Sequence, residues 1–266
     1  MDEFFAGAPF VIAHRGASAH APENTEVAFR LAREVGAEGL EADVRATRDG
    51  VPVAFHDPRV DRCTDGRGSV RRFRYAELAR LDAGYRWSPD GGRSFPYRGR
   101  GLRILTAMEL LRAFPDARIV LHVKSAAAAR ALARHIDPRE VRGRVLAASE
   151  WSWRLAPLHG RGWLLGATTE EVAAFLAASA LGRRPRAPRP LLLPPRRGPI
   201  PVLRASVVRR AHEAGRRVIA WVVNDPNFLR TVLHWGVDAV ETDDPERGVA
   251  VLRDWRAARA APAGVP

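Results

Sequence analysis

Apolar segments of strand length alternate with amphipathic segments of helix length along most of this 266-residue chain. Such alternation is typical of βα units, in which helices cover a parallel sheet. The predicted strands are residues 10–13, 39–44, 118–123, 144–148, 162–167, 190–193, 217–223 and 238–241. The main helical segments are 25–35, 126–135, 169–180, 203–214 and 226–235, and four glycines that suit a helix C-terminus follow them closely (Gly36, Gly182, Gly215 and Gly236). Eight such units in a chain of this length predict a single-domain α/β protein, a TIM (β/α)₈ barrel over residues 8–256 with a C-terminal tail at 257–266.

Two stretches interrupt the alternation. Residues 58–103 are rich in glycine, arginine and aromatic residues, with one short helical segment near 75–83. Since this connection follows the second strand on the face where barrel loops form active sites, we expect a lid or a substrate-shaping insertion. The second stretch, 182–201, is rich in proline and arginine. Within it, we expect 183–189 on the face away from the chemistry, whereas Arg196 and Arg197 either point at substrate or form solvated surface charge.

The strongly basic composition is a weak indicator of a partner. The net charge is +13, but Lys124 is the only lysine among 43 basic residues, and the chain has no glutamine. This usage is typical of a GC-rich coding bias that replaces interchangeable lysines by arginine, so we expect no nucleic-acid partner. A lysine retained against that bias indicates a need for its compact ammonium group.

Cysteine usage and hydropathy limit the class of protein further. Cys63 is the single cysteine, which excludes an internal disulfide and a cysteine-based zinc cluster. The first eight residues lack the basic and apolar regions of a secretory signal, and no stretch approaches the roughly 18 apolar residues of a membrane-spanning helix. We therefore expect a cytoplasmic protein without a transmembrane segment.

Charged residues at the ends of the early predicted strands indicate phosphate-ester chemistry. Glu41 and Asp43 have even spacing and so face the same side of one strand. Two carboxylates inside a barrel repel each other unless a cation lies between them, although arginine partners alone would also serve. Arg15 offers a planar fork of donors to phosphate oxygens, and His14 and His56 can act as acid and base near neutral pH. The set predicts a metal-assisted site for a phosphate ester.

The chain also carries an ordered set of motifs. They are His14-Arg15-Gly16, Pro22-Glu23-Asn24-Thr25, Glu41-Ala42-Asp43, Thr47-Arg48-Asp49-Gly50, His56-Asp57, Thr64-Asp65-Gly66-Arg67-Gly68, Leu121-His122-Val123-Lys124, Trp221-Val222-Val223-Asn224, Gly236-Val237-Asp238 and Thr242-Asp243-Asp244-Pro245. Their order and spacing resemble the glycerophosphodiester phosphodiesterase family over residues 10 to 250. The resemblance implies a TIM barrel that uses a divalent metal ion to hydrolyse glycerophosphodiesters to sn-glycerol 3-phosphate and an alcohol. Arg15 matches the family's phosphate-binding arginine, and Lys124 matches its lysine.

The chain departs from the family's pattern on the third predicted strand, where His122 replaces the usual third metal-ligating glutamate. Three outcomes are open: His122 binds the ion, it stands aside while water or another carboxylate such as Glu241 completes the site, or the ion binds too weakly for catalysis. The resemblance implies Mg²⁺ or Ca²⁺ on Glu41 and Asp43. Ligation by His122 would favour Mn²⁺, Co²⁺ or Zn²⁺.

The function predicted from the sequence is metal-dependent hydrolysis of a small glycerophosphodiester, with His14 and His56 as the acid–base pair and either water or the glycerol 2-hydroxyl as nucleophile. Trp221 is expected to pack against the glycerol or the insertion, with a structural role as the alternative. Asn24 is expected to cap the helix that begins at Thr25. Two other functions stay open, namely action on lysophospholipids or other phosphodiesters, and a catalytically impaired relative that binds a phosphorylated ligand.

Overall fold

The computed structural model describes residues 3–183 and 189–260. Eight parallel strands form its central sheet, and every strand predicted from the sequence is present, several with shorter bounds. They are β1 (Phe10–Ala13), β2 (Gly39–Ala46), β4 (Arg118–Val123), β5 (Val145–Ala148), β6 (Leu164–Leu165), β7 (Leu191–Leu193), β10 (Val218–Ala220) and β11 (Ala239–Thr242), paired in the order β6-β5-β4-β2-β1-β11-β10-β7. The sheet curls until its two ends meet, where the Ala167 N–H donates to the Pro190 carbonyl oxygen at 2.8 Å.

The strands are apolar because both of their faces are buried, and alternate residues serve different layers. On β1, Phe10 and Ile12 join the cluster inside the barrel, together with Val120 and Ile219. Val11 instead packs outward against the helices. This period of two fixes the direction of every later side chain on each strand. Residues that continue the inward positions past the carboxyl ends of the strands therefore point into the barrel mouth.

Nine α-helices are present in the described part of the chain, and the larger ones cover the outside of the sheet. They are α1 (Glu26–Glu34), α2 (Tyr75–Leu78), α3 (Ala107–Ala113), α4 (Ala126–His135), α5 (Ser152–Leu155), α6 (Thr169–Ala180), α7 (Ala205–Glu213), α8 (Pro226–His234) and α9 (Pro245–Ala260). The prediction that Asn24 caps α1 is wrong. The cap is Thr25, whose side chain accepts from the Ala28 N–H, because Asn24 is engaged elsewhere.

The stretch 58–103 folds over a small apolar core of its own, which includes Val60, Val70 and Leu78. It follows β3 (Pro52–Ala54), which pairs antiparallel with β2. Two single-turn 3₁₀ helices, Val60–Arg62 and Val70–Arg72, precede α2, which is shorter than the predicted segment 75–83. A second small unit follows β7, where β8 (Arg196–Arg197) and β9 (Ile200–Pro201) form an exposed hairpin.

Two predicted segments, the C-terminal tail 257–266 and the connection 183–189, lie partly outside the described residues. The boundary at residue 256 lies within α9, which continues to Ala260, and residues 261–266 of the predicted tail lie outside the described residues. Of the predicted connection 183–189, residues 184–188 also lie outside them.

Across the described ranges, 3–183 and 189–260, no helix has the length and hydropathy that crossing a membrane requires.

Candidate active site

The predicted site residues of β1, β2 and β4 meet the end of β11 at the carboxyl ends of these four strands. Glu41 and Asp43 occupy inward positions of β2, and Asp43 lies in register with His122 of β4. Glu241 of β11 lies in register with Ile12 of β1, two residues before His14. Because parallel strands end at the same edge, the chain brings charged groups from four strands into the barrel mouth, where TIM barrels hold their active sites.

Asp43 is a fully buried carboxylate with two cationic partners. Its Oδ1 lies 2.7 Å from Lys124 Nζ, and its Oδ2 lies 3.0 Å from Arg15 Nε. Asn24 adds a hydrogen bond in each direction, donating Nδ2–H to Oδ2 and accepting from the Asp43 N–H. Burial alone would raise the pKa of Asp43, but the charges of Lys124 and Arg15 outweigh it and hold the pKa well below its usual range. Asp43 is therefore ionised, and the positive charges of Lys124 and Arg15 balance its negative charge.

Arg15 lies at the start of the loop after β1 in a left-handed backbone conformation, with φ 56°. Its N–H donates to Glu41 Oε2 at 3.0 Å, and its guanidinium contacts both Asp43 and Glu23. At the following Gly16, a Cβ would lie 2.6 Å from the backbone of Ala28, so only glycine lets this loop pack on α1. The loop thus fixes a guanidinium at the barrel mouth.

Glu41 and Glu241 are buried carboxylates that lack such cationic partners. Burial and then the charge of Asp43 raise the pKa of both, that of Glu241 to about 8. Glu41 Oε1 is buried and has no hydrogen-bond partner. Burying carboxylates in this way is costly unless a cation or a proton neutralises them.

Each predicted acid–base histidine is paired through Nδ1 with an aspartate. His14 Nδ1 lies 2.7 Å from Asp243 Oδ1, and His56 Nδ1 lies 2.6 Å from Asp57 Oδ1. Burial lowers the pKa of His14, but the hydrogen bond to Asp243 and the charge of Glu41 outweigh it and raise the pKa. An aspartate on Nδ1 holds the ring in place and leaves Nε2 to exchange a proton.

Arg62 of the insertion links Asp57, the partner of His56, to Glu23, a partner of Arg15. Arg62 donates to Asp57 at 2.6 Å and to both carboxylate oxygens of Glu23 at 2.7 and 2.8 Å. Glu23 in turn contacts Arg15 at 3.2 Å. A continuous chain of charged contacts therefore connects the His56–Asp57 pair with the guanidinium of Arg15.

His122 is neutral and engaged with its neighbour. Burial, followed by the charge of Lys124, lowers its pKa to about 3. Lys124 Nζ, 3.1 Å away, donates to the Nδ1 of the imidazole. The ring of Trp221 contacts the His122 ring edge-on, with a distance of 6.1 Å between the ring centroids.

Two groups of side chains in the described residues can hold a metal ion, and both include Glu41. The first consists of Glu41, Asp43 and His122, and the second of His14, Glu41 and Glu241; in each, the possible ligand atoms lie within 4.8 Å of one another. The buried, unpartnered Glu41 Oε1 supplies an independent reason to place a cation here. The residues present therefore fit the divalent ion that the sequence motifs imply.

A cavity of about 670 Å³ opens from this cluster toward one side of the barrel. Glu41, His122, Trp221 and Glu241 form its charged and aromatic end. Its remaining walls are mostly apolar and come from the segments after β5, from α6 and from the β7–β9 region (Ala148, Trp151, Val172, Ala173, Leu176, Leu192, Ile200 and Val202 among others). Arg196 and Arg197 also line it, whereas no lining residue comes from the insertion 58–103. The role of that insertion as a lid stays a prediction.

Several residues of this site have no site role in the sequence analysis, namely Asp243, Arg62, Glu23 and Asn24. Asp243 lies inside a recognised motif, but its partner His14 is 229 positions away. Arg62 is one arginine among many in an arginine-rich loop. Only the fold shows which of them contacts a catalytic group.

The comparisons with known proteins agree with this geometry. The model of the "Glycerophosphoryl diester phosphodiesterase family" matches residues 14–247. The chain belongs to this family. The resemblance drawn from the motifs is thereby confirmed, and the family accounts for the carboxylates at the barrel mouth because it is metal-dependent.

Individual family members cover nearly the whole chain. The Mycobacterium tuberculosis protein named "Probable glycerophosphodiester phosphodiesterase 2" is 34% identical over 262 residues, 94% of each chain. A glycerophosphoryl diester phosphodiesterase domain from the same species superposes with a TM-score of 0.79 at 24% identity, covering 94% of this chain and 99% of that one. An Oleispira antarctica phosphodiesterase, solved in complex with the product sn-glycerol-3-phosphate, gives a TM-score of 0.71 at 25% identity over 94% and 98% of the two chains. The predicted TIM barrel is confirmed.

Proposed function

We propose that this protein is a metal-dependent phosphodiesterase that hydrolyses glycerophosphodiesters to sn-glycerol 3-phosphate and an alcohol, with His14 and His56 as its acid and base. The observation that carries the proposal is the pair of histidines, each with an aspartate on Nδ1, beside a buried cluster of cations and carboxylates. Family membership and the product complex of the Oleispira antarctica phosphodiesterase support the choice of substrate class.

The phosphate would bind to Arg15 and Lys124, whose positive charges lie on the two sides of Asp43. Charge that builds on the phosphoryl oxygens in the transition state is stabilised by fixed donors of this kind, because they need no rearrangement during the reaction. Trp221, edge-on to His122 at the wall of the cavity, would pack against the glycerol. The compact ammonium of Lys124 also donates to His122 Nδ1 at 3.1 Å.

Proton transfer would use both histidines in one catalytic cycle. One imidazole accepts the proton of the nucleophile as it attacks phosphorus, and the other donates a proton to the alkoxide oxygen as the P–O bond breaks. His14 and His56 are equivalent in their Asp–Nδ1 contacts, at 2.7 and 2.6 Å. Water as the nucleophile gives sn-glycerol 3-phosphate directly. With the glycerol 2-hydroxyl as the nucleophile, the first step releases the alcohol and forms a cyclic phosphate, and water must then open that cyclic phosphate in a second step.

The ligands of the divalent ion would come from two groups of side chains that share Glu41; Asp43 and His122 complete the first group, and Glu241 belongs to the second. A bound divalent cation would supply Lewis-acid polarisation of the phosphoryl group. Carboxylate oxygens alone favour Mg²⁺ or Ca²⁺, whereas an imidazole nitrogen in the set would favour Mn²⁺, Co²⁺ or Zn²⁺.

A second candidate substrate class, the lysophospholipids, is favoured by the shape of the cavity. A volume of about 670 Å³ is in the range that pockets for drug-sized ligands have, and most of the lining away from the charged cluster is apolar. The apolar side of α6 and Ile200 could cover an acyl chain attached to the glycerol. The same cleavage would then release an acylated glycerol phosphate and the head-group alcohol.

Hydrolysis assays on the purified protein test this function. The protein is stripped with chelator, restored with Mg²⁺, Ca²⁺, Mn²⁺, Co²⁺ or Zn²⁺, and incubated with a panel of glycerophosphodiesters and lysophospholipids. We expect release of a glycerol phosphate that chelator abolishes and at least one ion restores. Binding of sn-glycerol 3-phosphate without turnover under any of the five ions would instead identify a catalytically impaired relative.

A further inference from the structure

We propose that Glu241 is a ligand of the catalytic cation, which binds between the carboxylates of Glu241 and Glu41. Glu241 thereby supplies the carboxylate that position 122 lacks. This inference rests on the proposed metal-dependent function and concerns which residues of this chain hold the ion.

Asp43 and His122 are already occupied by protein groups. Asp43 has Lys124 at 2.7 Å and Arg15 at 3.0 Å, so two cations offset its single charge. The His122 nitrogen that lies 3.8 Å from Asp43 Oδ1 is Nδ1, and this nitrogen accepts a hydrogen bond from Lys124. An ammonium group can only donate, so the lone pair of Nδ1 is not available to a metal ion in this arrangement.

Glu41 and Glu241, by contrast, have carboxylate oxygens without a hydrogen-bond partner. Glu41 uses Oε2 to accept from the Arg15 N–H, while its Oε1 is buried without a partner. Within the described ranges, the side-chain carboxylate of Glu241 accepts no hydrogen bond, and the nearest ionisable nitrogen to it is His14 Nε2 at 3.9 Å. The exposed fraction of the Glu241 side chain is 4% and that of Glu41 is 2%. Two buried carboxylates without cationic partners within 3.5 Å require a cation between them to be stable together in their charged form.

The positions of Glu41 and Glu241 also favour an ion between them. Both carboxylates line the cavity that leads from the charged cluster, so an ion between them would face the substrate. His14 Nε2 lies 4.0 Å from Glu41 Oε2 and 3.9 Å from Glu241 Oε1, which places the proton-transferring nitrogen beside the same pair. An ion held there and the histidine would act on the same phosphoryl group.

Binding of Mn²⁺ to the full-length protein, followed by electron paramagnetic resonance, tests the ligand directly. We expect Glu241→Gln to weaken Mn²⁺ binding by at least about tenfold, since even residues that only orient metal ligands cost that much. Glu241→Leu, which replaces the carboxylate by an apolar side chain, should produce the same loss. The matched control is Glu150→Gln, because Glu150 lines the same cavity but pairs with Arg154 at its exposed end; its Mn²⁺ affinity should equal that of the wild type.

Thermal unfolding separates a ligand from a structural residue. Under chelator, Glu241→Gln should melt at the same temperature as the wild type or higher, because it removes a buried charge. Added Mn²⁺ should raise the melting temperature of the wild type and of Glu150→Gln far more than that of Glu241→Gln. Unchanged Mn²⁺ affinity in both Glu241 variants, with loss in Glu41→Gln, would overturn the role of Glu241 and leave metal-dependent hydrolysis intact. A wild type that binds no Mn²⁺, Mg²⁺ or Ca²⁺ would overturn both.

Discussion

The two sides of the barrel mouth differ in the charge and polarity of the side chains that form them. On the charged side, formed by the ends of β1, β2, β4 and β11 and by part of the insertion, several basic groups contact a carboxylate, as Lys124 contacts Asp43 and Arg62 contacts Asp57 and Glu23. On the apolar side, formed by the segment after β5, α6, β7 and the β8–β9 hairpin, the cavity walls are mainly aliphatic. A network of ion pairs fixes geometry, whereas aliphatic walls exclude water and select by shape. We therefore propose that the charged side carries out the reaction and that the apolar side determines which substrates bind.

The largest effect is expected on the charged side. His14→Ala should lower kcat by about 10²- to 10⁴-fold, because it removes one partner of the acid–base pair. Circular dichroism and the melting temperature should remain those of the wild type. His135→Ala, at the exposed end of α4, is the matched control and should keep full activity. Activity within tenfold of the wild type in His14→Ala would remove this histidine from the mechanism.

Lys124→Met should affect both activity and stability, since the ammonium of Lys124 contacts Asp43 and His122. We expect kcat/KM to fall by about 10²- to 10³-fold through loss of a donor to the phosphate. The free energy of unfolding, measured with urea, should fall by about 3 kcal/mol because a buried carboxylate loses one of two partners. Lys124→Arg keeps the charge and tests the geometry; full activity in that variant would show that charge alone suffices.

A smaller and selective effect is expected on the apolar side. Ala173→Asp places a charge in the cavity wall, whereas Ala174→Asp changes the adjacent position of α6, which does not line the cavity. We expect Ala173→Asp to lower kcat/KM for a lysophospholipid by about tenfold or more and to leave that for glycerophosphocholine unchanged. Equal losses for both substrates, or for both variants, would contradict the division between the two sides.

The smallest effect is expected at the rim of the apolar side. Arg196→Ala and Arg197→Ala should each raise KM for an anionic diester about twofold at low salt, and the difference should vanish at high salt because both side chains are exposed. Arg209→Ala on the outer helix α7 provides the comparison. A salt-independent loss would show that one of the two arginines contacts substrate directly.

The sequence predicted the charged side better than the apolar side, and the reason is physical. His14, Glu41, Asp43 and Lys124 stand at strand ends, where period-two alternation and parallel pairing bring them together without further information. Asn24 was assigned to a helix cap because local rules favour that role, but a buried carboxylate competed for its side chain. The apolar walls come from segments with ordinary aliphatic residues, which carry no signature until the fold places them around one space.

The His–Asp pairs show the same limit at closer range. Asp57 follows His56 directly, so its orienting role could be inferred from adjacency. Asp243 reaches His14 only because β11 pairs with β1 and closes the barrel on itself. The sequence therefore indicates the chemistry of a side chain more reliably than it indicates which residue orients that side chain.

The closure of the sheet between β6 and β7 gives the two sides different mechanical character. In the described part of the chain, this seam is joined by one backbone hydrogen bond, from Ala167 to Pro190, whereas β2 and β4 pair over six residues. Because fewer hydrogen bonds oppose local opening there, the Ala167 amide should exchange with deuterium faster than the amides of β2. The barrel can therefore widen at the β6–β7 seam, beside the apolar cavity, while the charged groups on β2 and β4 keep their spacing. Substitutions in the apolar side can then change the shape of the cavity without moving the charged side.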